Sequence, residues 1–253
     1  LKYGAKGYFG NYMVAAQHPD VHALIICTPT NMHLDGVRIA AMFKKDVLVE
    51  KPIAASIEDA NLMIEIAKKG GIILMVAENF QFMKAVGKTS KLIKEGKIGN
   101  LRFLMLNLMV KHQASNWNLD SGMFLEMGVH LANMLFFLGG KPEKLVAIEG
   151  KKTLPIRADD SIYVICRLQN GAVAQINASW STYFLPKFQY SMISGTEGTI
   201  FLETRGHFTL LWGKKKMVKY KLTRTIDGYG KAGEIIDVED LSMVPYNSTL
   251  QLC

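Results

Sequence analysis

The sequence predicts an α/β fold joined to an α+β fold: part of a doubly wound parallel sheet, then a domain built on a large mixed or antiparallel sheet. Two observations predict this. In the first third of the chain, short apolar runs alternate with helical patterns, as strands and crossover helices of a parallel sheet do. From about residue 100, strand-like runs follow one another through turn signals such as Asn170-Gly171. We place the boundary between Val76 and Phe80.

Each apolar run of the first part is short and rich in β-branched residues, which is typical of a strand covered on both faces. Ser56 followed by Asp59 resembles a capping box, and Gly70-Gly71 ends the helix that it opens. The expected elements are a strand at Val21–Cys27, a helix at His33–Phe43, a strand at Asp46–Val49, a helix from Ser56 to Lys69 and a strand at Ile72–Val76.

The second part begins with a helical pattern that Gly96 closes, and then changes to alternating, strand-like periodicity. One long helical pattern interrupts the strands. The expected helices are Ala85–Lys94 and Met123–Leu138, and the expected strands are Leu101–Val110, Ser161–Leu168, Val173–Ser181, Gln189–Ser194, Thr199–Leu202, His207–Leu211 and Met217–Lys221.

Composition narrows the classes of partner. The 253 residues carry 30 Lys and Arg against 22 Asp and Glu, a net charge of +8 that suits an anionic ligand. The basic residues are dispersed, and Lys214-Lys215-Lys216 lacks the interleaved aromatic residues of a nucleic-acid platform. We therefore expect no nucleic-acid partner.

Cysteine usage and hydropathy add three expectations. Three cysteines are too few and too far apart for a disulfide framework or a metal cluster, so we expect a cytoplasmic protein and no metal. The most apolar stretch, Met123–Gly140, contains Glu126, His130 and Asn133, so we expect no membrane span.

Polar residues follow the predicted parallel strands at their C-terminal ends, where open α/β sheets bind ligands. Thr28, Glu50 and Asn79 occupy these positions, and Lys51 can project an ammonium group into the same crevice. The alternative for Lys51 is a surface lysine before a proline that begins a helix.

The long helical pattern carries a second set of polar residues. Glu126 and His130 are one helical turn apart and share a face, so the carboxylate can orient the imidazole, or both can contact neighbouring hydroxyls of a polyol. Alternatively, the two side chains satisfy each other in a partly buried helix.

Two segments resemble one enzyme family. Ala23–Phe82 contains, in order, an apolar strand, Thr-Pro-x-x-x-His, a helix, Val-Leu-x-Glu-Lys-Pro, a helix, an apolar strand and Asn-x-x-Phe. This order resembles the second half of the nucleotide domain of the glucose–fructose oxidoreductase/myo-inositol dehydrogenase (Gfo/Idh/MocA) family. Ser121–Asn133 resembles the family's Gly-Gly-x-x-x-Asp-x-Gly-x-His-x-x-Asp helix, with Ser121 for the first Gly, Glu126 for the first Asp and Asn133 for the last.

The resemblance implies a partial Rossmann-like dinucleotide-binding domain over residues 1–78 and a substrate-binding and oligomerisation domain over residues 79–253. It implies NAD or NADP as cofactor and hydride transfer to or from a sugar, polyol or related hydroxy or keto compound. It also implies a homodimer or homotetramer formed through the sheet of the second domain.

The resemblance also assigns roles. Lys51 would exchange the hydroxyl proton, His130 would assist as acid, base or hydrogen-bond partner, and Glu126 would orient the ligand or His130. The residues expected to border the cofactor are Thr28, Pro29, Asn31, His33, Glu50, Lys51 and Asn79, and those expected at the substrate are Trp117, Glu126 and Asn133.

Two other functions use the same parts. In a redox-neutral glycosidase, a tightly held NAD oxidises and re-reduces the sugar during hydrolysis, so no net NADH appears. In a ligand sensor or scaffold, the fold binds without turnover, an alternative that Glu126 and Asn133 encourage because both depart from the family pattern.

Gly4, Gly7 and Gly10 have the wrong spacing for the family's Gly-x-Gly-x-x-Gly turn, so we expect this turn and the strand before it upstream of Leu1. By the same resemblance, we expect a further helical segment beyond Cys253. The turn brings backbone N–H groups to the pyrophosphate. The 253 residues by themselves should therefore bind NAD weakly in a calorimetric titration, and tight binding would contradict this expectation.

Overall fold

A computed structural model describes residues 4–111, 121–182 and 190–203, together with the strands at 208–213, 216–221 and 234–240. The chain divides into a first unit, Leu1–Glu78, and a second unit, Asn79–Cys253.

The first unit contains the predicted parallel sheet, with three strands in the order β1-β2-β3. Ile26 pairs with Val49, and Val49 pairs with Val76, so the strands end in register. The elements are α1 (Tyr12–Gln17), β1 (Ala23–Ile26), α2 (His33–Met42), β2 (Asp46–Val49), α3 (Ile57–Gly70) and β3 (Leu74–Val76).

Local chemistry explains the longest helix of this unit. The Ser56 hydroxyl accepts a hydrogen bond from Asp59 N at 3.0 Å, which satisfies one free N–H of the first turn. Gly71 ends α3 in the left-handed region, with φ of 65°. Met63 of α3 is fully buried with Val49 of β2, so α3 covers one face of the sheet.

The described residues of the second unit form two α-helices and a nine-stranded sheet, in the order β12-β11-β10-β9-β8-β4-β7-β6-β5. β4 and β7 are parallel, and the other neighbours are antiparallel. The elements are α4 (Lys84–Lys94), β4 (Leu101–Met109), α5 (Val129–Gly139), β5 (Pro142–Glu149), β6 (Ser161–Leu168), β7 (Val173–Ser179), β8 (Tyr190–Gly195), β9 (Gly198–Glu203), β10 (Phe208–Gly213), β11 (Lys216–Lys221) and β12 (Glu234–Asp240).

One face of this sheet forms the core with α4 and α5. Leu104 and Leu106 of β4 are fully buried, as are Leu131 and Met134 of α5. The alternating strand residues that point to the opposite face are more exposed, as expected for a sheet with one covered face.

The structure differs from the prediction at four elements. α1 is a short helix that the sequence analysis does not predict. β5 and β12 are strands that the sequence patterns do not indicate; nearly every residue of β5 is exposed, so it lacks a buried alternation. The predicted helix Met123–Leu138 is not one regular α-helix, because Phe124–Gly128 form a wider π turn before α5. Among the described residues, no helix combines the length and apolar character that crossing a bilayer needs.

Asp160 fastens the loop before β6. It is 1% exposed, and its Oδ2 accepts hydrogen bonds from Thr153 N at 2.7 Å and Leu154 N at 2.9 Å. Burial raises the pKa of this carboxyl, but the hydrogen bonds from the backbone of Thr153 and Leu154 and from the side chains of Ser161 and Thr153 together outweigh burial and hold the pKa below its ordinary value. The ionised carboxylate therefore stabilises the fold above its unfolded-state pKa of about 4 and ceases to do so as the pH falls through the lower folded-state pKa.

Replacing Asp160 with Asn should lower the free energy of unfolding by about 1–3 kcal/mol near neutral pH, since it removes charge-assisted hydrogen bonds. The deficit should shrink as the pH falls below about 4, because the wild-type carboxyl then becomes protonated. Denaturant unfolding across this pH range measures both effects. Asp35→Asn is the control, because the Asp35 side chain is 63% exposed, and a deficit for Asp160→Asn that does not depend on pH would contradict the account.

Candidate functional site

The loops that follow β1, β2 and β3 leave one edge of the parallel sheet. The backbone hydrogen bonds of the sheet continue past the strand ends: Glu50 N donates to Ile26 O at 2.9 Å, and Ala77 N donates to Val49 O at 2.7 Å. Thr28, Glu50 and Glu78 therefore stand at the carboxyl edge, the position at which open α/β sheets bind ligands.

His33 joins two of these loops from inside the unit. Its imidazole is 1% exposed, with Nε2 at 3.0 Å from Thr28 O and Nδ1 at 3.1 Å from Pro52 O. The ring thus fixes the backbone after β1 to the backbone after β2. Pro29 and Asn31, in contrast, are exposed.

Glu50 and Lys51 keep part of their surface exposed. Lys51 N donates to Glu50 Oε2 at 3.1 Å, so the carboxylate folds back onto its own loop. Pro52 is buried after a cis Lys51–Pro52 peptide bond. A carboxylate acceptor and an ammonium donor therefore follow β2 side by side in sequence.

Glu78 is a residue that the sequence analysis missed. Its carboxylate-bearing side chain is 8% exposed at the end of β3, and the signal that could have found it is the same strand-end position that singled out Glu50. Asn79 is exposed and is the first residue of the second unit, where its backbone carbonyl accepts from Phe82 N at 3.1 Å.

The second unit buries a row of polar side chains in an apolar helix. Glu126 is 8% exposed and His130 is 5% exposed, while Leu131 and Met134 beside them are fully buried. One helical turn further along, the side-chain oxygen Oδ1 of Asn133 is buried and has no hydrogen-bond partner among the described residues. We call Glu126, His130 and Asn133 the polar row.

The π turn that carries Glu126 is anchored from outside the helix. Asp159 accepts hydrogen bonds from Met123 N through its backbone carbonyl and from Phe124 N through Oδ2, both at 2.8 Å. Gly122 has a φ of 73°, and a Cβ at this position would overlap the Asp159 carboxylate. This carboxylate thereby stabilises the positive N-terminal end of the helix.

The π turn changes the relation between Glu126 and His130. A Cβ at Gly128 would lie 2.5 Å from the Phe124 ring, so the glycine lets that ring pack over the turn. Because a π turn is wider than an α turn, it rotates the residues before it relative to those after it, and such turns are frequent at functional sites.

His130 also has an aromatic neighbour that the sequence does not indicate. The rings of Phe80 and His130 are stacked, with centroids 4.0 Å apart and planes 6° apart. Trp117, which we expected at the substrate, lies outside the described residues. Among the residues that are described, no cluster of His, Cys, Asp or Glu side chains is arranged to hold a metal ion.

Comparison with known proteins places the chain in a family. Residues 2–78 match the model described as "Oxidoreductase family, NAD-binding Rossmann fold", and residues 86–201 match the "GFO/IDH/MocA C-terminal domain". The chain is 25% identical over 232 residues to a levoglucosan dehydrogenase from Pseudarthrobacter phenanthrenivorans, a match that covers 79% of this chain and 60% of the relative. It is 30% identical over 194 residues to a 2,7-anhydro-N-acetylneuraminate hydratase from Escherichia coli, covering 72% of this chain and 52% of the relative.

The fold is shared with solved structures. An oxidoreductase from Agrobacterium radiobacter, crystallised with NAD+, L-tartaric acid and magnesium, superposes with a TM-score of 0.79 at 21% identity, covering 91% of this chain and 68% of that chain. The chain thus spans between about half and two thirds of the length of these proteins. The two family matches, in the order in which the two units occur, establish that the chain belongs to the Gfo/Idh/MocA oxidoreductase family.

Proposed function

We propose that the protein transfers a hydride between a nicotinamide dinucleotide, NAD or NADP, and a hydroxyl-bearing carbon of a sugar, polyol or related compound. The observation that carries the proposal is the buried polar row on the second unit's helix, in a chain whose first unit matches an NAD-binding family.

Burial of the polar row has a free-energy cost. Burying a carboxylate and an imidazole removes both from water, which costs free energy unless partners compensate. Asn133 Oδ1 is buried and has no partner in the described part of the chain, so it can accept a hydrogen bond from a hydroxyl group. Three polar side chains along one helix match the spaced hydroxyls of a polyol, which can donate to each acceptor.

The carboxyl edge of the first unit has groups that fit a dinucleotide. The Glu50 carboxylate can accept from ribose hydroxyls, Lys51 can donate, and the exposed Thr28 and Asn31 add further hydrogen-bonding groups. His33 supports this edge from the interior of the unit, because it holds together the two loops that present Thr28 and Glu50. We assign the same border to Pro29, which follows Thr28, and to Asn79, which follows Glu78 in the sequence; both residues are exposed.

The chemistry divides into a hydride and a proton. A bound oxidised nicotinamide would supply the acceptor for the hydride that leaves the carbinol carbon. The hydroxyl proton must leave to a base, the role that we propose for Lys51, with His130 assisting as acid, base or hydrogen-bond partner. Glu126 accepts a hydrogen bond from the substrate or from His130 and so orients the reacting group. In the reverse direction, the same two groups return the proton to the carbonyl oxygen.

A second candidate function follows from the hydratase relative, whose name describes a reaction without net oxidation. In that case the same polar row would serve a cycle in which the hydride returns to the substrate. Net formation of NADH separates the two functions, because only the first leaves reduced nucleotide in solution. A binding-only sensor would leave both the sugar and the nucleotide unchanged.

We further propose that two copies of the chain pair through the outer face of β5–β7. Val146 and Ile165 are paired residues of β5 and β6, and both are exposed, at 65% and 57%. Ile148, two residues along β5, is 64% exposed on the same face. Neighbouring exposed apolar side chains of this kind mark interaction surfaces in soluble proteins.

Lys51→Ala and His130→Asn should each lower kcat/KM for NAD-dependent oxidation of levoglucosan or myo-inositol by about 100-fold or more, the usual contribution of a proton-transferring side chain. The natural protein is assayed by the appearance of NADH. Lys69→Ala is the control for Lys51, because the Lys69 side chain is 81% exposed and pairs only loosely with Glu65, at 3.6 Å. Equal activity of Lys51→Ala and Lys69→Ala would overturn the role of Lys51.

Ile165→Glu should reduce the mass of the natural protein in sedimentation velocity to that of a single chain, because a charge would be buried in the proposed contact. Met42→Glu is the matched control, since Met42 is 66% exposed and belongs to the first unit, so it is not a residue of β5–β7. An assembly that Ile165→Glu leaves intact would place the contact elsewhere.

A further inference from the structure

Phe80 and His130 are 50 residues apart in sequence and form a face-to-face pair within the second unit. Phe80 opens a short 3-10 turn, Phe80–Phe82, in which Met83 N donates to Phe80 O at 3.0 Å. His130 stands on the second residue of α5, directly after the π turn. Their centroid separation of 4.0 Å and interplanar angle of 6° leave no space between the rings.

The ring stack restricts a rotation of the imidazole that the helix backbone does not restrict. The last side-chain torsion of histidine has broad, weakly separated minima, so the backbone of a helix does not fix the plane of the imidazole. An aromatic ring lying parallel at van der Waals distance does fix it, because rotation of the imidazole would drive its edge into the ring. The directions in which Nδ1 and Nε2 point are therefore set by Phe80 as well as by α5.

Direction matters for a group that exchanges protons. A donor or acceptor must lie within about 2.6–3.2 Å of its partner, and displacements of about 1 Å can cost a factor of about 100 in rate. A leucine at position 80 would keep most of the apolar volume beside His130, but it would not present a flat face.

We propose that Phe80 is a positioning residue whose ring holds the His130 imidazole in the plane required for proton exchange with the substrate, an inference that rests on the role given to His130 in the proposed function. The alternative is that Phe80 only fills the core, to which it also packs. The two differ in what the loss of the ring changes: core filling affects stability, whereas positioning lowers turnover without a matching loss of stability.

The experiment compares Phe80→Leu, Phe80→Tyr and Phe82→Leu in the natural protein. Phe82→Leu is a matched control, because Phe82 lies in the same turn with its side chain 61% exposed. Isotope-labelled histidine allows the imidazole resonances to be observed by NMR, and the resonances of His130, one of six histidines, are assigned by their absence in His130→Asn. Ring protons above an aromatic face are shifted by its ring current, so this readout needs no substrate.

We expect Phe80→Leu to move the His130 resonances and to lower kcat for levoglucosan or myo-inositol by about 10- to 100-fold, with little change in KM. Phe80→Tyr should retain both the resonance positions and kcat, and Phe82→Leu should resemble the wild type. Unmoved resonances or an unchanged kcat in Phe80→Leu would overturn the inference. A loss of kcat that Phe80→Tyr shares, or that follows the loss of thermal stability, would also overturn it in favour of core filling.

A failure of the proposed function is recognised separately. If His130→Asn retains full kcat, His130 does not exchange the proton, and the positioning role falls with it. The shift of the His130 resonances in Phe80→Leu would still be present in that case, so the error would lie in the function assigned to His130 and not in the ring stack.

Discussion

Burial of Glu126 and His130 inside an otherwise apolar helix is the constraint on which the second unit depends. Both side chains are less than 10% exposed, and the helix must hold them against the tendency of polar groups to return to water. Three contacts contribute. Asp159 anchors the first turn, Gly128 lets the Phe124 ring close over the π turn, and Phe80 covers one face of the imidazole. The helix is thus positioned by residues from separate parts of the chain.

In the first unit, contacts to backbone groups hold the site in place. Strand ends in register bring three loops to one edge, and a buried histidine, His33, ties two of these loops through their carbonyl oxygens. The exposed side chains at this edge are consequently carried on a supported backbone. Such support is what a binding edge needs, because a mobile loop would lose more entropy on ordering around a ligand.

Much of the fold could be predicted from the sequence, because its signals are local. Asp46–Val49 and Ser161–Leu168 are strands with the predicted bounds, and Ser56 caps α3 as its spacing to Asp59 predicts. The strand-to-helix alternation also predicts the parallel order of β1, β2 and β3, which the structure confirms.

The site is less predictable because its features are non-local. The number of residues between Glu126 and His130 is the same whether the chain forms an α-helix or a π turn, so the sequence does not reveal the wider turn. No local pattern connects Phe80 to His130 or Asp159 to Phe124. The motif implies that His33 borders the cofactor, and this stays a prediction; only the folded loops show that its ring nitrogens face backbone carbonyls.

We propose that the protein moves a hydride from a sugar or polyol carbon to a nicotinamide nucleotide. The most direct test incubates the natural protein with oxidised NAD and levoglucosan deuterated at its carbinol carbons, and then determines the mass of the nucleotide and of the sugar. The account predicts deuterium in the released, reduced nucleotide, in equal amount to the oxidised sugar. Deuterium that stays in or returns to the sugar product while the nucleotide remains oxidised would contradict it, and would favour the redox-neutral reaction.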